Sequence, residues 1–113
     1  CPMIDARRME VYSALYTEKL ELKREVSAEI INENSFQEIL DQQPVYFFGN
    51  GASKCTPLIT HPNARFIDSI EPLAKNMILT AEKKYAAHDY ADVAYFEPFY
   101  LKEFQATIPK KLF

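Results

Sequence analysis

Only two glycines occur in the 113-residue chain, and they stand two positions apart, at Gly49 and Gly51, directly behind the apolar run Val45-Tyr46-Phe47-Phe48. The chain has no other glycine to take up the left-handed backbone of a tight turn without steric cost. Its one glycine loop therefore marks a sharp reversal from strand to helix, with Asn50 between the glycines and Ala52-Ser53-Lys54-Cys55 beginning a helical turn that Pro57 and Pro62 limit. The run ahead of the loop is expected as a fully buried strand. Whatever precedes that run stops by Gln43, because Pro44 pushes its predecessor out of the α region.

Upstream, β-forming residues come in three groups. Met3-Ile4-Asp5-Ala6 is short and extended, and Arg7-Arg8 separates it from Glu10-Val11-Tyr12-Ser13-Ala14-Leu15-Tyr16, so the two segments are expected as a hairpin. In the second segment Val11, Ser13 and Leu15 face one way and Tyr12, Ala14 and Tyr16 the other. Both faces can be covered, which places that strand inside the sheet. Between Leu20 and Ile30, Leu20, Leu22, Val26, Ala28 and Ile30 share one parity while Glu21, Lys23, Glu25, Ser27 and Glu29 share the other. That pattern predicts an edge strand with one wet, charged face. Ser35-Phe36-Gln37-Glu38 fits a capping box at the start of a short helix whose apolar stripe is Phe36, Ile39 and Leu40.

Downstream, Arg65-Phe66-Ile67 reads as a brief fifth strand. Ile70, Leu73, Ala74, Met77, Ile78, Ala81 and Tyr85 then recur at helical spacing, predicting an amphipathic helix of about four turns. Asp68 or Ser69 is its expected cap, and Pro72 is tolerated in a first turn. Beyond Asp89, the rings of Tyr95, Phe96, Phe99, Tyr100 and Phe104 predict a tail over residues 90–113 that packs on the body. Residues 1–113 thus read as one α/β domain of order β-β-β-α-β-α-β-α. This is the ribonuclease-H-like order shared with the actin-like ATPase superfamily, with a mixed five-stranded sheet of order 3-2-1-4-5 in which strand 2 is antiparallel.

Composition narrows the function classes. Thirteen Lys+Arg against sixteen Asp+Glu leave a net charge of −3, which argues against gripping a polyanion by charge alone. The apolar stretches fall far short of the roughly 20 residues a membrane helix needs. Cys1 and Cys55 are too few for a disulfide scaffold or a zinc site, so a reducing cytoplasm is expected. A nuclease of this fold would gather carboxylates to hold metal ions on a phosphodiester. The chain offers Asp5 and Glu38, but its fourth strand ends in Phe48-Gly49-Asn50-Gly51, without the acid needed there.

An ATPase of this fold would set glycine between its first two strands, so that backbone amides approach a phosphate. This chain has Ala6-Arg7-Arg8-Met9 at that place. The nucleotide-facing candidates are therefore the Arg7 and Arg8 side chains, with Gly49, Asn50 and Gly51, whose loop could turn amides outward. Each has a plainer role available: the arginines solvate a hairpin end, and the glycines serve a tight turn. His61 and His88 are isolated, and Cys55 beside Lys54 has no His or Asn constellation to activate it. Cys55 is expected to be buried and inert, and neither catalytic residues nor a metal site are predicted.

Three motifs add a resemblance. Ile4-Asp5-Ala6-Arg7-Arg8-Met9-Glu10-Val11-Tyr12, Phe48-Gly49-Asn50-Gly51-Ala52 and Glu97-Pro98-Phe99-Tyr100-Leu101-Lys102 touch both ends and the middle of the chain. Together they resemble the C-terminal half of the TsaB family, bacterial tRNA threonylcarbamoyladenosine biosynthesis proteins also described as YeaZ-like or glycoprotease-like. The resemblance implies the C-terminal lobe of a two-lobed, actin-like protein whose N-terminal lobe is missing. The opening Cys1-Pro2, without an initiator Met, is likewise expected of a piece of a longer chain.

The same resemblance implies a non-catalytic scaffold that acts with a TsaD-like catalytic subunit and a TsaE-like protein. These place a threonylcarbamoyl group on the adenosine beside the anticodon of ANN-decoding tRNAs. tRNA is then met only through the complex, which uses ATP as a whole, and this lobe carries no cofactor of its own. The TsaD-like subunit holds the metal-binding histidines, and the N-terminal half makes most of the contact with it. A homodimer is a further partner to consider, and no membrane is involved. The alternative is an autonomous nucleotide hydrolase or a peptidase, as the glycoprotease label would have it, but no triad, zinc motif or activated cysteine is visible. A lobe on its own is expected to expose an apolar patch.

Overall fold

A computed structural model describes residues 1–102. The first three strands form an antiparallel meander, β1 (Met3–Asp5), β2 (Glu10–Tyr16) and β3 (Leu22–Ile30), with β2 in the middle. Ile4 lies opposite Tyr12, and Tyr12 opposite Ala28. Next come α1 (Gln37–Leu40), β4 (Val45–Phe48), a 3-10 turn at Ser53–Cys55 and β5 (Ala64–Ile67). A second 3-10 turn, Ala74–Met77, leads into α2 (Ile78–Ala86). β4 and β5 pair in parallel as a second sheet, and an isolated parallel bridge joins Pro2 to Phe48 between the two sheets. The described residues form a small α/β domain with one antiparallel and one parallel sheet.

Among the described residues the core closes on one face only. Met3, Val11, Leu15, Phe36, Leu40, Val45, Phe47, Cys55 and Ile59 pack there as one cluster. Phe47 is fully buried, meeting Phe36 edge-on at 5.1 Å and stacking on Phe66 at 5.2 Å. On the opposite face Ile4, Ile30, Tyr46 and Ile67 are exposed.

This one-sided burial corrects the expectation of a fully buried fourth strand. Val45 and Phe47 point into the core, while Tyr46 is 56% exposed. The third strand departs further, because its predicted apolar parity is the exposed one: Leu22, Val26 and Ile30 all face water. The register with β2 shifts between Ser13 and Leu15 and again between Leu15 and Tyr16. From Glu10 to Ser13 the register is regular and sets Glu29 opposite core-facing Val11, with Ala28 and Ile30 on the face of Tyr12 and Ile4; the shifts then bring Arg24 opposite core-facing Leu15. There Arg24 Nη2 donates to Glu29 Oε2 (3.0 Å) and to the hydroxyl of buried Ser13 (3.2 Å), and the guanidinium sits 4.6 Å over the Phe36 ring.

The capping box does not form. Ser35 Oγ instead accepts the Asn32 amide at 3.0 Å, and Asn32 Oδ1 accepts the Asn34 amide at 2.8 Å. This local turn satisfies the groups a cap would use, and Phe36 enters α1 at φ 64° with no side-chain cap. The helix does stop ahead of Pro44, where Gln43 N–H donates to Ile39 O.

The expected four-turn helix is shorter. Ser69 takes φ 62° rather than capping, Pro72 precedes the helical segment, and α2 proper is nine residues long. Its stripe packs on neither sheet among the described residues, with Met77, Ile78 and Tyr85 exposed and Tyr85 meeting only the Tyr90 ring at 5.9 Å. Most helical stability comes from packing such a face, so an unpacked stripe leaves the first turns irregular. The rings of Tyr95, Phe96, Phe99 and Tyr100 are exposed rather than packed on the body, although Lys102 returns to form an ion pair with Glu10. The part of the tail that includes Phe104 lies outside the described residues.

Candidate functional site

The β1–β2 hairpin turn is built without glycine, yet both arginines adopt the left-handed backbone, Arg7 at φ 71° and Arg8 at φ 48°. A non-glycine residue held there costs roughly 1–2 kcal/mol. What offsets the cost is a set of hydrogen bonds converging on the turn. Ala6 N–H donates to Glu10 O (3.0 Å), Glu10 N–H to Arg7 O (3.1 Å) and Arg7 N–H to Asp5 Oδ1 (2.8 Å). From the other side of the loop region, Lys54 Nζ donates to Asp5 Oδ1 (2.5 Å), Arg8 O (2.8 Å) and Glu10 O (2.7 Å). An ammonium has three protons to give, and all three are placed.

The glycine loop is bolted to the same strand. Gly49 has φ 99°, and a Cβ there would lie 2.4 Å from Met3 O. At Gly51 an added Cβ would meet Ile4 C and Asp5 N at 2.9 Å. Gly51 N–H donates to Met3 O (3.0 Å), and Asn50 Oδ1 accepts the Asp5 amide (2.9 Å). The expected outward-facing amides are thus corrected at Gly51, whose N–H turns inward. The glycines let the loop approach β1 where any side chain would collide.

The five predicted residues therefore gather at one end of the sheet, but with different roles. Gly49, Asn50 and Gly51 clamp β1. Arg7 and Arg8 are exposed, and neither guanidinium makes an ion pair or hydrogen bond among the described residues. Lys54 is the residue the sequence reading missed as part of this site, because its partners lie more than forty positions away. The Lys54 ammonium, and after it the Arg7 amide, hold the Asp5 carboxyl below the ordinary carboxylate value. Asp5 is thereby kept as a fixed acceptor rather than a proton carrier.

A cleft of about 280 Å³ lies behind the loop, lined by Asn50, Ser53, Asp68, Ser69 and Glu71 among others. Cys55 is fully buried, its Sγ donates to Gly51 O at 3.2 Å, and burial pushes its thiol pKa up, as expected of an inert cysteine. His61 Nε2 lies 3.2 Å from Asp41 Oδ1 while its Nδ1 accepts the Asn63 amide. Among the described residues no group of three or more His, Cys, Asp or Glu could hold a metal ion. The arrangement can offer two arginine side chains to an anionic surface, but the Lys54 ammonium and the Gly51 amide are spent on the protein itself. The chain matches no family model and no curated protein.

Proposed function

We propose that this chain is a non-catalytic scaffold lobe of the TsaB kind, serving tRNA threonylcarbamoyladenosine formation beside TsaD-like and TsaE-like proteins. The observation that carries this reading is the inward commitment of Lys54, Asp5 and the glycine loop. Those groups lie at the end of the sheet where the nucleotide-facing candidates gather, and they fasten one strand to the next instead of offering donors to a triphosphate. The exposed Arg7 and Arg8 then serve a partner's acidic surface. Exposed apolar side chains on the open sheet face and on α2 support a body meant to be held by other protein.

The reading includes one continuous sheet of order 3-2-1-4-5, for which the Pro2–Phe48 bridge between the two sheets is the supporting contact. It also includes a cytoplasmic location; among the described residues no helix is long and apolar enough to cross a membrane. The test is a reconstituted reaction containing an ANN-decoding tRNA, ATP and the TsaD-like and TsaE-like proteins. Modification is expected to depend on adding the protein that bears this chain. Modification at an undiminished rate without it refutes the reading.

A further inference from the structure

Both acids that flank the β1–β2 turn are taken by lysines from far along the chain. Asp5, ahead of the turn, is held by Lys54, 49 positions away. Glu10, behind it, is held by Lys102. The Glu10 amide also closes the turn on Arg7 O (3.1 Å), so its carboxylate belongs to the same turn as the two arginines. Acids this near in the chain are the first counter-ions an arginine would find, because the attraction between unit charges falls with distance and with the water between them. Here the lysines occupy both, while Arg7 and Arg8 are exposed and in no ion pair among the described residues. The turn backbone is fixed at the same time, Lys54 holding the carbonyls of Arg8 and Glu10 with both arginines left-handed. The chain thus accepts strain at two successive positions where glycine would carry none, and keeps a guanidinium at each.

We propose that this turn docks a short carboxylate-rich segment of a partner protein, and that Lys102 is a positioning residue that sets the affinity by occupying Glu10. Guanidinium groups suit carboxylates, which they can meet through paired parallel hydrogen bonds. With Lys102 in place, the turn gathers Arg7, Arg8, Lys54 and Lys102 around only two acids, Asp5 and Glu10. When Lys102 leaves, a cation is lost and Glu10 becomes a competing carboxylate beside the arginines. Docking and the Lys102–Glu10 contact therefore favour each other, and the coupling runs equally in both directions. The occupant is short because the whole chain carries a net charge of −3, which repels a long polyanion, whereas a few carboxylates meet only the local excess of cations. Taking that occupant as protein rests on the scaffold role proposed above; the action of Lys102 on the arginines does not.

The probe is a tetraglutamate peptide, titrated at low salt into the isotope-labelled 113-residue chain and followed by NMR. The Nε–H resonances of Arg7 and Arg8 are expected to shift saturably, and Arg7→Ala with Arg8→Ala should abolish binding. Lys102→Ala should weaken binding about threefold, the scale of one nearby charge at an exposed site in dilute salt, and Lys102→Arg should leave it unchanged. Adding Glu10→Gln to Lys102→Ala should restore the parent affinity, which a purely structural role for Lys102 would not allow. All these side chains lie at the surface or only partly buried, so the circular dichroism of the variants should match the parent. No saturable shift, parent-like binding by Lys102→Ala, no restoration by Glu10→Gln, or tighter binding of a tetrauridylate than of the peptide would each overturn the proposal. The scaffold role is decided separately by the reconstituted modification, so the two can fail independently.

Discussion

Gly49→Ala is expected to lower folding stability by about 3 kcal/mol, read as a drop in the urea midpoint at unchanged slope. Two costs combine at this position. A left-handed backbone held by a non-glycine residue costs of order 1–3 kcal/mol, and an atom forced into a packed site typically adds 1–3 kcal/mol more. The added methyl would lie 2.4 Å from Met3 O, which is backbone and cannot swing aside, so the loop must lift off β1. Lifting it breaks the Gly51 bond to Met3 and strains the Asn50 bond to Asp5. A loss below about 0.5 kcal/mol, the level of a surface substitution, would mean that the loop does not clamp the strand.

Lys54→Met should cost about 2 kcal/mol, chiefly through the carbonyls of Arg8 and Glu10, which lose a charged donor. Methionine keeps the length and the apolar stem, so packing is nearly preserved. The same substitution should change the acid limb of the stability curve. Asp5 has a folded-state pKa below its unfolded one, so its contribution is complete above the ordinary carboxylate value and fades as pH falls through the folded pKa. The Lys54 hydrogen bond is the largest cause of that depression. Without it the loss should begin at higher pH, closer to the ordinary carboxylate value. Urea titrations of parent and variant from neutral pH into the acid range check both effects; coincident acid limbs would show that Lys54 does not hold Asp5.

The parts of the fold legible in the sequence are those set by local chemistry. Gly49 at φ 99°, the stop before Pro44 and the strand ending at Phe48 follow from residues adjacent in the chain. The parts that were not legible depend on what lies across the fold. Alternation along Leu22–Ile30 showed two faces but not which of them β2 turns to the core: Glu29 lies opposite buried Val11, and two register shifts then bring Arg24 opposite Leu15, which no run of residue types in that strand announces. Ser35 matched a capping box in spacing, but Asn32 offered its hydroxyl a nearer amide. Val45–Phe48 looked buried on both sides because apolar runs do not record whether a second layer exists. In the site, the spacing of Gly49 and Gly51 pointed to the loop, whereas Lys54 could be recognised only once Asp5, Arg8 and Glu10 were seen around its ammonium.

The arginine pair is the feature on which the two functional classes divide. An enzyme that grips a triphosphate needs donors free to turn toward it, and at this end of the sheet Arg7 and Arg8 offer side chains from a turn whose carbonyls Lys54 already holds. A scaffold needs only that those side chains reach another protein's surface.

Titration calorimetry of ATP into the chain, with phosphate release followed in the same samples, tests this division most directly. No saturable heat and no phosphate release are expected, and Arg7→Ala with Arg8→Ala should leave that baseline unchanged. Saturable binding accompanied by turnover, abolished by the same arginine substitutions, would contradict the reading of this chain as a lobe that acts by being bound.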